Sequence, residues 1–185
     1  MLVKVDPKNI FQSFMKDFET ERFLAKRTIP SMTKILKNYF YELGKSKGFE
    51  PWTTKRGKEV SYEYLVDHCW AVKDQKGIWL EMALESELSE RNVEGILYDF
   101  EKLTDVKAFL KIGIFHPQIK RIEEVASKCA ELIRRHRIKI VGEQYLLIFL
   151  TERQRNRRWY LKVSGYLFDH MGKIKMKMLE KEFDW

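Results

Sequence analysis

Two stretches of this chain constrain its fold more than any others. Residues 108–115 (AFLKIGIF) and 145–150 (YLLIFL) are almost entirely apolar. Both are far shorter than the roughly 18 residues a membrane helix needs. Neither alternates as a strand with one wet face does. Short continuous apolar runs bounded by turn residues read as strands covered on both faces. Residues 108–115 end at His116 and Pro117, and residues 145–150 follow Gly142. A sheet of this kind needs helices on both sides.

The rest of the chain supplies them. Residues 8–26 carry a helical stripe of Ile10, Phe11, Phe14, Met15 and Phe18. A second helix is expected from Thr28 or Ser31, with Pro30 in its first turn and Met32, Ile35, Leu36, Tyr39, Phe40 and Leu43 on one side. A third, capped by Ser89 or Asn92, repeats the pattern with Val93, Ile96, Leu97, Phe100 and Leu103. A fourth covers 118–137, with Ile122, Ala126, Cys129 and Ile133 inward. Further strands are expected near 49–52, at 64–72 and 78–87 as a hairpin turning at Gly77, and at 159–168. Residues 151–158 read as a basic loop and 173–178 as a tail of alternating basic and apolar residues.

The expectation is one α/β domain, a mixed central β-sheet flanked by helices. It comprises N-terminal helices (1–47), a core (49–150), and a basic loop, last strand and tail (151–185). A helix between the strands at 78–87 and 108–115 makes those two parallel.

The chain has 185 residues, with 35 Lys plus Arg against 27 Asp plus Glu, a formal charge of +8. That excess points to an anionic partner, nucleic acid before a membrane surface. Only two cysteines are present, Cys69 and Cys129, without metal-ligand spacing, which argues against a disulfide scaffold or a zinc site. No signal segment or membrane span is expected, so the reading is a soluble, cytoplasmic protein.

The 64–87 hairpin holds acids where strands disfavour them. Asp67 interrupts its first half. In the second, alternation places Glu81, Glu85 and Glu87 on one face, opposite Ile78, Leu80, Met82 and Leu84. Glu81 is expected to face solvent. If Asp67 lies across from Glu85, carboxylates converge, and a divalent cation relieves their repulsion.

An acid in one strand, a second acid two residues before a third polar group in the next, then a helix and an apolar strand, resembles the PD-(D/E)xK nuclease superfamily. Asp67 stands at the first acid, and Glu85 at the second. Glu87 occupies the usual Lys position, and Val66 rather than Pro precedes Asp67. The resemblance covers roughly 30–150 as an order of elements. It implies a restriction-endonuclease-like fold, Mg²⁺ or Mn²⁺ held by Asp67, Glu85 and Glu87, and hydrolysis of DNA phosphodiesters. Lys102 on the third helix, or Lys111 on the next strand, stands in for the motif Lys. Arg153, Arg155, Arg157 and Arg158, beside Trp159, suit phosphate contact. Two other readings are a catalytically inactive nucleic-acid-binding module of the same fold, and a homodimer or other protein contact built on the tail.

Overall fold

The computed structural model describes residues 5–17, 28–53 and 65–184. Among these residues, four α-helices and seven strands follow one another as α1 (Pro7–Asp17), α2 (Ile29–Ser46), β1 (Glu50–Thr53), β2 (His68–Asp74), β3 (Gly77–Glu87), α3 (Val93–Asp105), β4 (Ala108–Phe115), α4 (Ile122–Arg135), β5 (Gln144–Arg155), β6 (Arg158–Asp169) and β7 (Ile174–Asp184). The strands form one sheet in chain order, β1 to β7. β3, β4 and β5 are parallel; every other neighbouring pair is antiparallel. The expected mixed sheet with helices on its faces is what the chain adopts.

Each face of the sheet has its own core. On one side α1 and α2 bury Ile10, Phe14, Leu36 and Phe40 against Trp70, Met82, Leu84, Ile112 and Ile148. On the other, α3 and α4 bury Ile96, Phe100, Cys129 and Ile133 against Ala83, Phe115, Tyr145 and Phe149. Successive residues of β4 and β5 therefore enter opposite cores, which is why neither strand shows a polar period. Asn92 caps α3 by accepting from the Gly95 amide at 2.8 Å.

Several expectations need correction. The first helix is described only to Asp17; Phe18 and the remainder of 8–26, like Tyr64 in the hairpin, lie outside the described residues. Asp67 sits in a bend just before β2 rather than inside the strand. The strict alternation read along β3 fails at Glu81. Trp70 pairs with Met82 and Ala71 with Leu80, leaving Glu81 as an extra residue in a β-bulge. Leu80 thereby joins the core under α3 and α4, whereas Met82 joins the opposite one. Glu81 is buried, not solvent-facing, and its Oε1 accepts from the Val5 amide at 3.3 Å.

The C-terminal third also differs. Residues 151–155 extend β5, and the chain reverses at Asn156 and Arg157, both with positive φ (51° and 62°). That is the two-residue hairpin geometry whose twist matches its strands. The tail forms β7, an edge strand with Met178 packed inward. Among the described residues, no helix is long and apolar enough to cross a membrane.

Candidate active site

Because β2 and β3 pair with His68 opposite Leu84, the residues just outside that pair, Asp67 and Glu85, face each other. The Asp67 amide donates to Glu85 Oε2 at 3.1 Å. In return, the Ser86 amide and hydroxyl donate to Asp67 Oδ2 at 3.0 and 2.8 Å. Thr53 on β1 holds the Asp67 carbonyl at 3.3 Å. Two carboxylates are thus fixed by three strands near the carboxyl end of β3.

A cation approaches each from a different layer. Lys37 on α2 places Nζ 2.8 Å from Asp67 Oδ1. Lys102 on α3 places Nζ 3.1 Å from Glu85 Oε1 and 2.5 Å from Asp99 Oδ1. The site therefore sits where both helical layers meet the rim of the sheet. Lys102 was expected from its helix position, and it does reach Glu85. Lys37, Ser86 and Asp99 were not expected. Lys37 follows the apolar stripe residue Leu36 like any solvated lysine, and its partner lies 30 residues away. Ser86 is the unassigned residue between the two acids.

The electrostatics follow from burial. Glu85 is only 7% exposed. Burial, then repulsion from Asp67, pushes its pKa up to about 7, although the hydrogen bond and charge of Lys102 oppose the shift. Burial pulls the Lys102 pKa down, but its bonds to Asp99 and Glu85 outweigh that, so it lies above the usual lysine range. Burial and the Glu85 charge push the neighbouring Cys69 thiol up to about 12, which rules it out as a nucleophile near neutrality.

Glu87 does not join this pair. Its Oε1 accepts from the Ser89 amide at 2.5 Å, from the Ser89 hydroxyl, and from the Glu90 amide at 3.2 Å. It organises the loop into α3. Lys111 is also elsewhere. It is 1% exposed and forms a closed set with Glu143 at 2.9 Å and the Tyr145 hydroxyl at 3.0 Å. Burial lowers its pKa, with Glu143 opposing. Among the described residues, no three His, Cys, Asp or Glu side chains gather as a metal cluster.

His116, itself buried, belongs to a separate cluster. Its Nε2 lies 2.9 Å from Arg91 Nη2, and Arg91 pairs with Glu152 at 2.6 Å. Arg153 pairs with Glu182 at 3.2 Å. Arg155, Arg157 and Arg158 are exposed at the β5–β6 turn. No known protein family and no curated protein matches the chain.

Proposed function

We propose that this chain is a metal-dependent nuclease-like hydrolase of DNA phosphodiester bonds, with a restriction-endonuclease-like fold. The observation that carries the reading is the Asp67–Glu85 pair, two buried or half-buried carboxylates locked beside each other with a lysine on each. The order of elements supports the reading: β2 and β3 are followed by α3 and the apolar β4, as the resemblance implies, although Asp67 precedes β2 instead of lying within it.

Two carboxylates completed by water and phosphate oxygens fit a hard cation such as Mg²⁺ or Mn²⁺. Asp67 and Glu85 would hold it; Glu87, committed to its own loop, would not. When bound, such an ion supplies Lewis acidity and a more acidic water. The chain's own residues set the stage. Ser86 fixes one Asp67 oxygen and leaves the other to Lys37. Lys102 favours ionised Glu85 against its burial, and Asp99 fixes Lys102 in reach of charge developing on a phosphate.

A second reading, an inactive relative that binds nucleic acid or protein, draws on a specific observation. Lys37 and Lys102 already neutralise both carboxylates, so the pair has internal partners without any metal. Supercoiled plasmid and single-stranded DNA incubated with Mg²⁺, Mn²⁺ or EDTA separate the two. Cleavage that needs the cation and is lost in Asp67→Ala and Glu85→Gln supports hydrolysis. Absence of cleavage with either cation, or cleavage that survives Asp67→Ala, discards it. Salt-dependent DNA binding without a saturable Mn²⁺ response in tryptophan fluorescence then favours the inactive module.

A further inference from the structure

The β5–β6 hairpin continues past β4. β4 ends at Phe115, opposite Phe149, but β5 runs six residues further to Arg155. At about 3.3 Å per residue the strand pair runs roughly 20 Å beyond β4, with β7 alongside β6 for most of that length. It leaves the sheet at the carboxyl ends of β3, β4 and β5, the end that holds Glu85. β7 pairs with β6 as far as Tyr160, opposite Asp184. Among the described residues, 154–159 form a two-stranded tip about 7 Å long.

Charge along the arm is distributed in a particular way. Near its base the cations are neutralised: Arg153 by Glu182 at 3.2 Å, Lys162 by Glu180 at 2.6 Å. At the tip they are not. Arg155, Arg157 and Arg158 have no ion pair with any described residue, and Arg155 lies directly opposite Arg158. Like charges facing each other across a strand pair destabilise a hairpin. Arg157 also takes φ of 62°, a conformation that costs a side-chain-bearing residue energy. Places where local preferences fail are expected to be functional or strained. Three arginines without an ion pair among the described residues suit an anionic ligand there.

The residue types narrow the choice. The tip reads Gln154, Arg155, Asn156, Arg157, Arg158, Trp159. Arg, Asn and Gln are the side chains that pair with base edges through two hydrogen bonds. A two-stranded ribbon fits the major groove of B-form DNA, whereas the groove of A-form RNA is too narrow for side chains to read. A single strand would call for a row of stacking aromatics, and the tip offers one, Trp159.

We infer that the β5–β6 arm is a groove-entering ribbon that grips double-stranded B-form DNA, with Arg155, Arg157 and Arg158 as its phosphate and base contacts. This rests on the proposal that nucleic acid is the substrate of the Asp67–Glu85 site, and names duplex DNA as its form. Arg153 and Glu152 at the base hold the arm at its angle through Glu182 and Arg91.

The test is fluorescence anisotropy in EDTA with the full chain and three labelled probes of one length: duplex DNA, single-stranded DNA and duplex RNA. The duplex DNA is expected to bind tightest. Arg155→Ala/Arg157→Ala/Arg158→Ala is expected to weaken it roughly ten- to hundredfold and to lower the salt-dependence slope by about 2–3. Circular dichroism confirms that the variant is folded. The corresponding triple Arg→Lys variant should keep the slope and lose part of the preference for duplex DNA, because lysine retains charge but not the two-pronged geometry. Unchanged binding by the alanine variant overturns the inference, as does equal binding of single-stranded DNA or duplex RNA. Duplex binding that depends on the arm in a protein that cleaves nothing leaves this inference standing and removes only hydrolysis. Absence of binding to all three probes removes both.

Discussion

Glu85 shows how far one residue can be displaced from its solution chemistry. Its pKa of about 7 in the folded chain stands against 4.5 when unperturbed. Between those values the native carboxyl keeps a proton that the unfolded chain has released. Its contribution to stability is therefore full below pH 4.5 and lost as pH rises through 7. The loss is at most about 3 kcal/mol. Glu85→Gln cannot titrate, so the stability of the variant relative to the wild type should shift in its favour by up to that amount between pH 5 and pH 8. Urea denaturation at a series of pH values, without divalent cations, measures the difference directly. Other titrating groups cancel in the comparison, and a pH-independent difference would sink this account of Glu85. Glu85 was legible in the sequence as an acid against strand propensity, Asp67 as an acid interrupting an apolar run although it precedes the strand, and Lys102 as a lysine off an apolar stripe. Lys37 was not legible, because nothing local distinguishes a lysine that meets an acid 30 residues on from one in water. Glu87 misled for the opposite reason: its alternation was right, but three donors in the next loop captured its carboxylate.

At the scale of elements, the apolar runs and helical stripes placed both helix layers and β4, β5 and β6. The bulge at Glu81 was invisible because it is a property of the pairing with β2, not of either strand alone. The reach of β5 to Arg155 was hidden by charge, since an arm in water has no apolar face to betray it. The seat of α2 on the sheet depends on a small residue. A Cβ on Gly44 would lie 2.5 Å from Trp70 Nε1. Trp70 cannot retreat: its Nε1 donates to the Phe40 carbonyl at 3.0 Å, and its ring stacks on Phe49 at 5.4 Å. Gly44→Ala should therefore destabilise by about 1–2 kcal/mol, although alanine is the better helix former. Denaturant titration, with near-ultraviolet dichroism reporting the Trp70 environment, checks both halves of the statement. A stabilised variant with an unchanged tryptophan signal would mean that α2 has room to shift.

The described residues form two apolar cores separated by a single sheet, and every strand but the two at the edges is shared between them. That arrangement has a thermodynamic consequence. If either core melted alone, the sheet would lose cover on one face while remaining hydrogen-bonded, exposing the alternate residues of β3, β4 and β5 to water. The apolar runs at 108–115 and 145–150 make that state costly, because burial of both faces is what holds those strands. The two cores should thus unfold together. Leu36→Ala opens a cavity on the α2 side, and Ile133→Ala opens one on the α4 side; both residues are fully buried. Each should cost about 2–5 kcal/mol. The sheet keeps them out of contact, so the double variant should show the sum of the two losses within about 0.5 kcal/mol. Far-ultraviolet dichroism and tryptophan fluorescence should trace one coincident transition in all four proteins. Two separated transitions would show that the cores unfold independently and that the sheet does not couple the Lys37 side of the candidate site to the Lys102 side; a double variant whose loss falls well short of the sum would show that the two cores interact through the sheet.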